Sequence, residues 1–228
     1  MRQSISDKAL VLARTDYGEK DRIITVLTKN HGKIRAIAKA VRSPKSRLAG
    51  GIELFAENEL GLAEGRGELY TVTHSRMKRY FGRIASDIDA TNMAYEYMKA
   101  VNKLTPDHAG EEYYDVLLKL FEALDESRIP ISQINIWCGL EVLKNLGASP
   151  NLGADINGGA FSESGKYQYD FERHGFYAKP AGPYAAEHLK ILRHLAAAAK
   201  PVEIKGTDDE LNASVAQLVD ILVKDHLN

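Results

Sequence analysis

The apolar residues of this chain change their period once. Up to about Tyr80 they alternate between short glycine-punctuated breaks and are rich in β-branched types, as in half-buried strands; after Arg83 they recur every three to four positions, as on one face of a helix. Strands first and helices second predict an α+β class, with a strand domain over 1–80 and a helical domain over 81–228. The length of 228 residues suits one large domain or two modest ones, each able to bury a core unaided.

Five strands are predicted, over 8–15, 22–28, 33–42, 52–62 and 68–73. Turn signals separate them at Tyr17-Gly18, Asn30-His31-Gly32, Ser43-Pro44, Gly50-Gly51 and Gly65-Arg66-Gly67. So many short strands in so little chain predict a small barrel. In the third strand Ile34, Ala36, Ala38 and Ala40 share one face, and Lys33, Arg35, Ile37 and Lys39 share the other, because side chains alternate. The small residues suit the inside. The outer face then carries a row of cations, which Arg42, Lys45 and Arg47 continue into the next loop.

The net charge of −1 hides an asymmetry: residues 1–83 hold 17 Lys and Arg against 9 Asp and Glu, and the remainder holds 13 against 22. From Arg22 to Ile52 there are eight basic residues and no acid. Solvated surfaces normally intersperse the two signs, so an acid-free run of this length points to a polyanion, read through its phosphates rather than its sequence. Tyr17, Phe55, Tyr70, Tyr80 and Phe81 are the aromatics available in this part, either to stack on bases or to fill the core.

Helical stripes follow. Ala90, Met93, Ala94, Tyr97, Val101 and Leu104 form one; Tyr113, Leu117, Leu120, Phe121 and Leu124 another; Ile136, Leu140 and Leu143 a third that stops at Gly147. Leu189, Leu192, Leu195, Ala196 and Ala199 form a helix that Pro183 opens, and Leu211, Val215, Leu218 and Leu222 form the last, with Thr207 and Glu210 as a capping box. Between them, an irregular insert near 152–182 is rich in Gly and Tyr, with 167–171 and 175–178 as short strands.

No catalytic pattern is present: the chain lacks G-x-S-x-G, H-E-x-x-H, a P-loop and G-x-G-x-x-G. His188 and His194 are six apart on one helix and point to different faces. A single cysteine, Cys138, permits no intramolecular disulfide and no multi-cysteine zinc site, and in its apolar helix it reads as a core residue. Low cysteine usage, an N-terminal stretch charged every few positions and the lack of any run of transmembrane length predict a cytoplasmic protein that is not an enzyme.

Residues 18–55 resemble the N-terminal signature of the bacterial RecO family. The resemblance lies in D-Y-G-E-K-D at 16–21, H-G-K-I-R-A-I-A-K at 31–39, R-x-P-K-S-R-L at 42–48 and R-G-E-L-Y at 66–70, with a weaker match in L-G-x-x-P-x-L at 146–152. It implies a five-stranded OB-fold barrel followed by an α-helical domain. It further implies binding of single- and double-stranded DNA, strand annealing and recombinase loading with RecR in recombinational repair, a nucleoid-associated location, and no cofactor. Single-stranded-DNA-binding protein is implied as a further partner. The residues that match the family's basic pattern are Lys33, Arg35, Lys39, Arg42, Lys45 and Arg47, the same ones that the strand-face reading picks out.

Two departures stand out. Where many members carry paired C-x-x-C motifs this chain has Asp155 and Gly158, then Ala178 and Ala181, which leaves tyrosine and glycine packing to hold the insert. Helix 132–146 also lacks the arginines that help the family hold the acidic tail of single-stranded-DNA-binding protein, leaving Lys144 and other residues for that role. The alternative to a DNA-binding annealer is a protein-interaction adaptor whose OB-fold recruits a partner and touches nucleic acid secondarily.

Overall fold

The computed structural model describes residues 4–65, 67 and 69–227. The chain divides into two compact units, Met1–Glu126 and Ser127–Asn228. The change of period therefore marks the end of the barrel, while the first two helices still belong to the barrel's unit.

In the first unit β1 (Ser4–Tyr17), β2 (Asp21–Thr28), β3 (Gly32–Ala38), β4 (Ala56–Glu64) and β5 (Tyr70–Tyr80) close into a barrel in the order β1-β2-β3-β5-β4. All pairings are antiparallel except the parallel β3–β5 pair, which gives the OB-fold topology. Closure depends on β1 serving two neighbours: Ser4–Leu10 pairs with β4 and Ala9–Tyr17 with β2, with a register shift between Val11 and Ala13 that bends the strand. Ala9, Val11, Ile24, Val26, Ile34, Ala36, Leu60, Leu62 and Val72 fill the interior.

The third strand is shorter than expected. It ends at Ala38, because Ala40 turns to φ +52° and its amide donates to Asp21 Oδ1 at 2.7 Å; Ala40 is exposed and does not face the core. The fourth strand starts at Ala56, since a 3₁₀ turn at Ala49–Gly51 and a left-handed Phe55 (φ +53°) occupy the predicted beginning. The fifth runs on to Tyr80, through a polar stretch whose outer side meets solvent and so carries little apolar signal. Arg66 and Glu68 of the R-G-E-L-Y segment lie outside the described residues.

Two helices complete this unit, α1 (Ile88–Leu104) and α2 (Glu112–Glu126), both packed on β1. Asp87 caps α1 by accepting from the amides of Asp89 and Ala90.

The second unit holds α3 (Ile131–Asn145), the hairpin strands β6 (Lys166–Asp170) and β7 (Gly175–Ala178), a short β8 (Tyr184–Ala185) beside β6, then α4 (Ala186–Ala197) and α5 (Asp209–Asp225). The helices pack on one another, and Trp137 Nε1 donates to the Ala198 carbonyl at 2.9 Å. Cys138 is fully buried, and burial pushes its thiol well up. Pro183 precedes β8 rather than opening α4, whose start is held by the Ala185 amide donating to His188 Nδ1. The cap of α5 is Asp208, which accepts from the Leu211 amide at 2.7 Å; Thr207 instead bonds Gln133 and Asn212. In the insert, Asp155 Oδ1 accepts from the amides of Asn157 and Gly159, and Arg193 lies over the Phe161 ring at 5.0 Å. A carboxylate-braced turn and edge-to-face rings of Phe161, Tyr167, Tyr169 and Phe176 thus organise the positions aligned with the family's cysteines. No helix among the described residues is long and apolar enough to cross a membrane.

Candidate nucleic-acid interface

Cross-strand register divides the outer surface of the barrel into rows. Glu57, Leu10, Leu27 and Lys33 form one row, since Leu10 pairs with both Glu57 and Leu27, and Leu27 pairs with Lys33. Its centre is apolar and fully buried although it lies opposite the core-facing side of the strands; α1 and α2 pack there on β1. Its two ends are polar and both are engaged. Tyr114 Oη on α2 donates to Glu57 Oε1 at 3.0 Å, and burial beside this carboxylate pushes the phenol strongly up.

At the other end, Lys33 Nζ donates to the carbonyls of Asn102 (2.9 Å) and Thr105 and lies 3.6 Å from Asp107. A cation that satisfies the last carbonyls of α1 also faces the negative end of the helix dipole. The neighbouring residues brace the same contact. His31 Nδ1 meets the buried Asp7 carboxylate at 2.9 Å, the Lys33 amide donates to the Ala109 carbonyl, and Gly32 at φ +65° has Ala109 so close that a Cβ would stand 2.4 Å from its carbonyl oxygen. Lys33 is therefore buried and consumed by the fold. The expectation of three cations side by side on β3 is corrected here: alternation puts Lys33 on the right face, but the 105–109 loop covers that end.

The next rows are open. Ala13, Thr25 and Arg35 form one; Thr15, Ile23 and Ile37 form the next. Tyr17 pairs with Asp21 at the hairpin tip, and Lys39 follows β3 at the same level. Arg35 and Lys39 are exposed, and among the described residues neither has an acidic partner. Ile23 and Ile37 between them are half-buried, which leaves an uncharged strip across the sheet.

Arg42, Lys45 and Arg47 lie on the loop from β3 to β4. Val41 and Ile52 belong to the barrel core and Leu48 packs against it, so both ends of the loop are anchored while Lys45 and Arg47 stand in solvent, likewise without an acidic partner among the described residues. Arg42 differs. Its Nε lies 3.4 Å from Asp16 Oδ2, and its amide donates to the Lys20 carbonyl at 2.9 Å. Asp16 also accepts from Arg22 Nε at 2.7 Å; this hydrogen bond, with the charges of Arg42, Arg22 and Arg14 behind it, holds the carboxyl below its usual range. Arg42 thus reaches the surface already partly neutralised.

Of the aromatics, Phe55 and Phe81 are buried, packed edge-on and tilted against Phe121, whereas Tyr17 is 55% exposed. Strand-face reasoning missed Lys20, an exposed residue at the hairpin tip beside the Arg42 backbone; the Tyr17-Gly18 turn signal was the sign that this tip projects.

Residues 1–81 match the family described as Recombination protein O N terminal. Three relatives are each named DNA repair protein RecO. That of Heliobacterium modesticaldum is 33% identical over 199 residues, covering 82% of this chain and 72% of the relative. That of Myxococcus xanthus is 27% identical over 226 residues, 97% of this chain and 91% of the relative. That of a Roseiflexus species is 30% identical over 207 residues, 87% and 71%. The matched N-terminal segment coincides with the five-stranded barrel, and the similarity continues through the helices beyond it: the chain belongs to the RecO family of DNA repair proteins.

Proposed function

We propose that the chain binds DNA through the open face of its barrel and the following loop, using Arg35, Lys39, Arg42, Lys45 and Arg47, and that it promotes annealing of complementary strands. The observation that carries this reading is the group of exposed cations, Arg35, Lys39, Lys45 and Arg47, left without acidic partners among the described residues in a stretch that contains no acid. Each can take a phosphate without first breaking a salt bridge. Two strands repel through their phosphates, and a cationic face that neutralises several on each lowers that barrier and releases counterions with no bond made or broken. The protein works by binding and not by catalysis. Family membership supports RecR as the partner in recombinase loading and single-stranded-DNA-binding protein as a second, with Lys144 at the end of α3 as a cation for its acidic tail. On this reading residues 1–80 are the DNA-binding module, and cytoplasmic, nucleoid-associated residence follows from the ligand.

Filter binding and strand annealing by the intact chain across a salt series test the proposal. With four unpaired cations each taking about one phosphate and Arg42 adding up to one more, log K for a single strand should fall against log[salt] with a slope of about −2.8 to −3.5. A slope near zero overturns it. Substituting Arg35 and Lys39 with Glu should abolish DNA binding while capture of RecR survives; retained DNA affinity would favour an adaptor instead.

A further inference from the structure

We propose that Tyr17 is a base-stacking platform that makes the barrel's open face prefer unpaired strands over duplex; this rests on the DNA-binding reading above and names the ligand class of that same face. Tyr17 ends β1 with 55% of its surface exposed, and among the described residues it makes no ring contact with another aromatic. Alternation along β1 places it with Ala13 and Thr15 on the outer side, the side that bears Arg35. At adjacent-strand spacing the Lys39 level lies about 10 Å from it, two strands away.

The tip that carries the ring is held in place. The Arg42 amide donates to the Lys20 carbonyl at 2.9 Å, an Arg42 guanidinium nitrogen reaches the Gly18 carbonyl at 3.4 Å, and the Ala40 amide bonds Asp21 at 2.7 Å. These three contacts hold the turn that follows Tyr17, so the backbone carrying the ring loses little freedom when a base arrives. The charges around it favour a nucleic acid over a protein partner. Asp16 is taken up by Arg22 and Arg42, while Asp21 accepts from the Ala40 amide and keeps its charge, so Asp16, Glu19 and Asp21 stand against Lys20, Arg22, Lys39 and Arg42, an excess of one positive charge. The uncharged strip of Thr15, Ile23 and Ile37 separates the ring from Arg35. Phosphates at Arg35 and Lys39 with a base over Tyr17 fit this spacing. A duplex keeps its bases stacked inside and can use only the cations, so the ring contributes to single strands alone.

The test measures affinities of the intact chain for an oligo(dT) single strand and for a mixed-sequence duplex of equal length across a salt series. Tyr17→Ala should weaken single-strand binding about tenfold at every salt concentration, leave the salt slope unchanged, and alter duplex binding by less than about twofold; Tyr17→Trp should restore the single-strand affinity. Equal loss on both ligands, an altered slope, no loss on the single strand, or failure of Trp to restore binding overturns the stacking role while leaving the cationic face intact. Absence of salt-dependent binding by the unsubstituted chain overturns the DNA-binding reading and this inference with it.

Discussion

Lys33 and Arg35 stand two residues apart on the same side of β3, yet Lys33 is buried with its ammonium on the Asn102 carbonyl at 2.9 Å while Arg35 is exposed and unpaired among the described residues. One cation closes a helix and the other is available to a ligand. Lys33→Ala should therefore cost about 2 kcal/mol, because charged donors to the C-terminal carbonyls of α1 are lost. Chemical denaturation should show a lower midpoint with an unchanged m-value, and the folded fraction should keep its DNA affinity. Arg35→Ala should do the reverse. Its stability should stay within about 0.5 kcal/mol of the parent, and its salt slope on single strands should become shallower by about 0.7.

The contrast shows which parts of the site were legible in the sequence. Period-two alternation placed Ile34, Ala36 and Ala38 inside the barrel, and all three are fully buried. It placed Lys33 outside the barrel equally well, but alternation reports only which side of a strand a residue occupies and not what covers that side. The covering was signalled by Leu10 and Leu27: both fall on the outer side, Leu10 inside the unbroken apolar run 9–12 and Leu27 at the end of 23–27, which only Thr25 interrupts, and such near-continuous runs mark strands buried on both faces. The end of β3 was not legible, since it depends on Asp21, far off in sequence, accepting the Ala40 amide. In the cap of α5, Thr207 and Asp208 are both competent N-cap residues, and a tertiary contact to Gln133 decides between them.

Gly32 and Gly18 share a positive φ, +65° and +58°, but not their surroundings. At Gly32 a Cβ would stand 2.4 Å from the Ala109 carbonyl oxygen, whereas at Gly18 nothing among the described residues lies within 4 Å. Alanine at Gly18 should therefore cost only the left-handed penalty of about 1–2 kcal/mol. At Gly32 the 105–109 loop must also move, so Gly32→Ala should cost clearly more than Gly18→Ala in the same denaturation experiment and should speed amide exchange at Lys33 and His108, whose amides bridge the hairpin and the loop.

Asp16 is ion-paired to one cation of the proposed interface, Arg42, at 3.4 Å, and to Arg22 at 2.7 Å. Its carboxyl is held below the usual range by the Arg22 hydrogen bond first, so the stabilisation it gives is complete above about pH 4, the ordinary carboxylate value, and is lost only as pH falls through the lower folded value. At neutral pH it competes with phosphate for the Arg42 guanidinium. Asp16→Asn should tighten single-strand binding and steepen the salt slope by up to about 0.7, as Arg42 becomes fully available. Weaker binding by this variant would mean instead that Asp16 orients the arginines for their ligand.

Tyr169 carries a hydroxyl with no hydrogen-bond partner among the described residues, in the aromatic cluster of the second unit, and burial, with Asp170 and Asp225 adding to it, raises its phenol from 10.0 to about 12. The unfolded chain ionises this group near pH 10 and the folded chain only near pH 12, so its contribution is complete below pH 10 and is lost as pH climbs through that window. Tyr169→Phe should remove this part of the alkaline loss. At neutral pH it also removes a buried donor that the fold leaves unsatisfied, so the variant should be more stable by about 1 kcal/mol. Tyr113, Tyr114 and Tyr184 are raised by burial as well and give both proteins a common alkaline decline. The diagnostic quantity is therefore the difference between their thermal midpoints, which should widen in favour of the variant between pH 10 and 12. A difference that stays constant across that range would mean the phenol is solvated or bonded in solution.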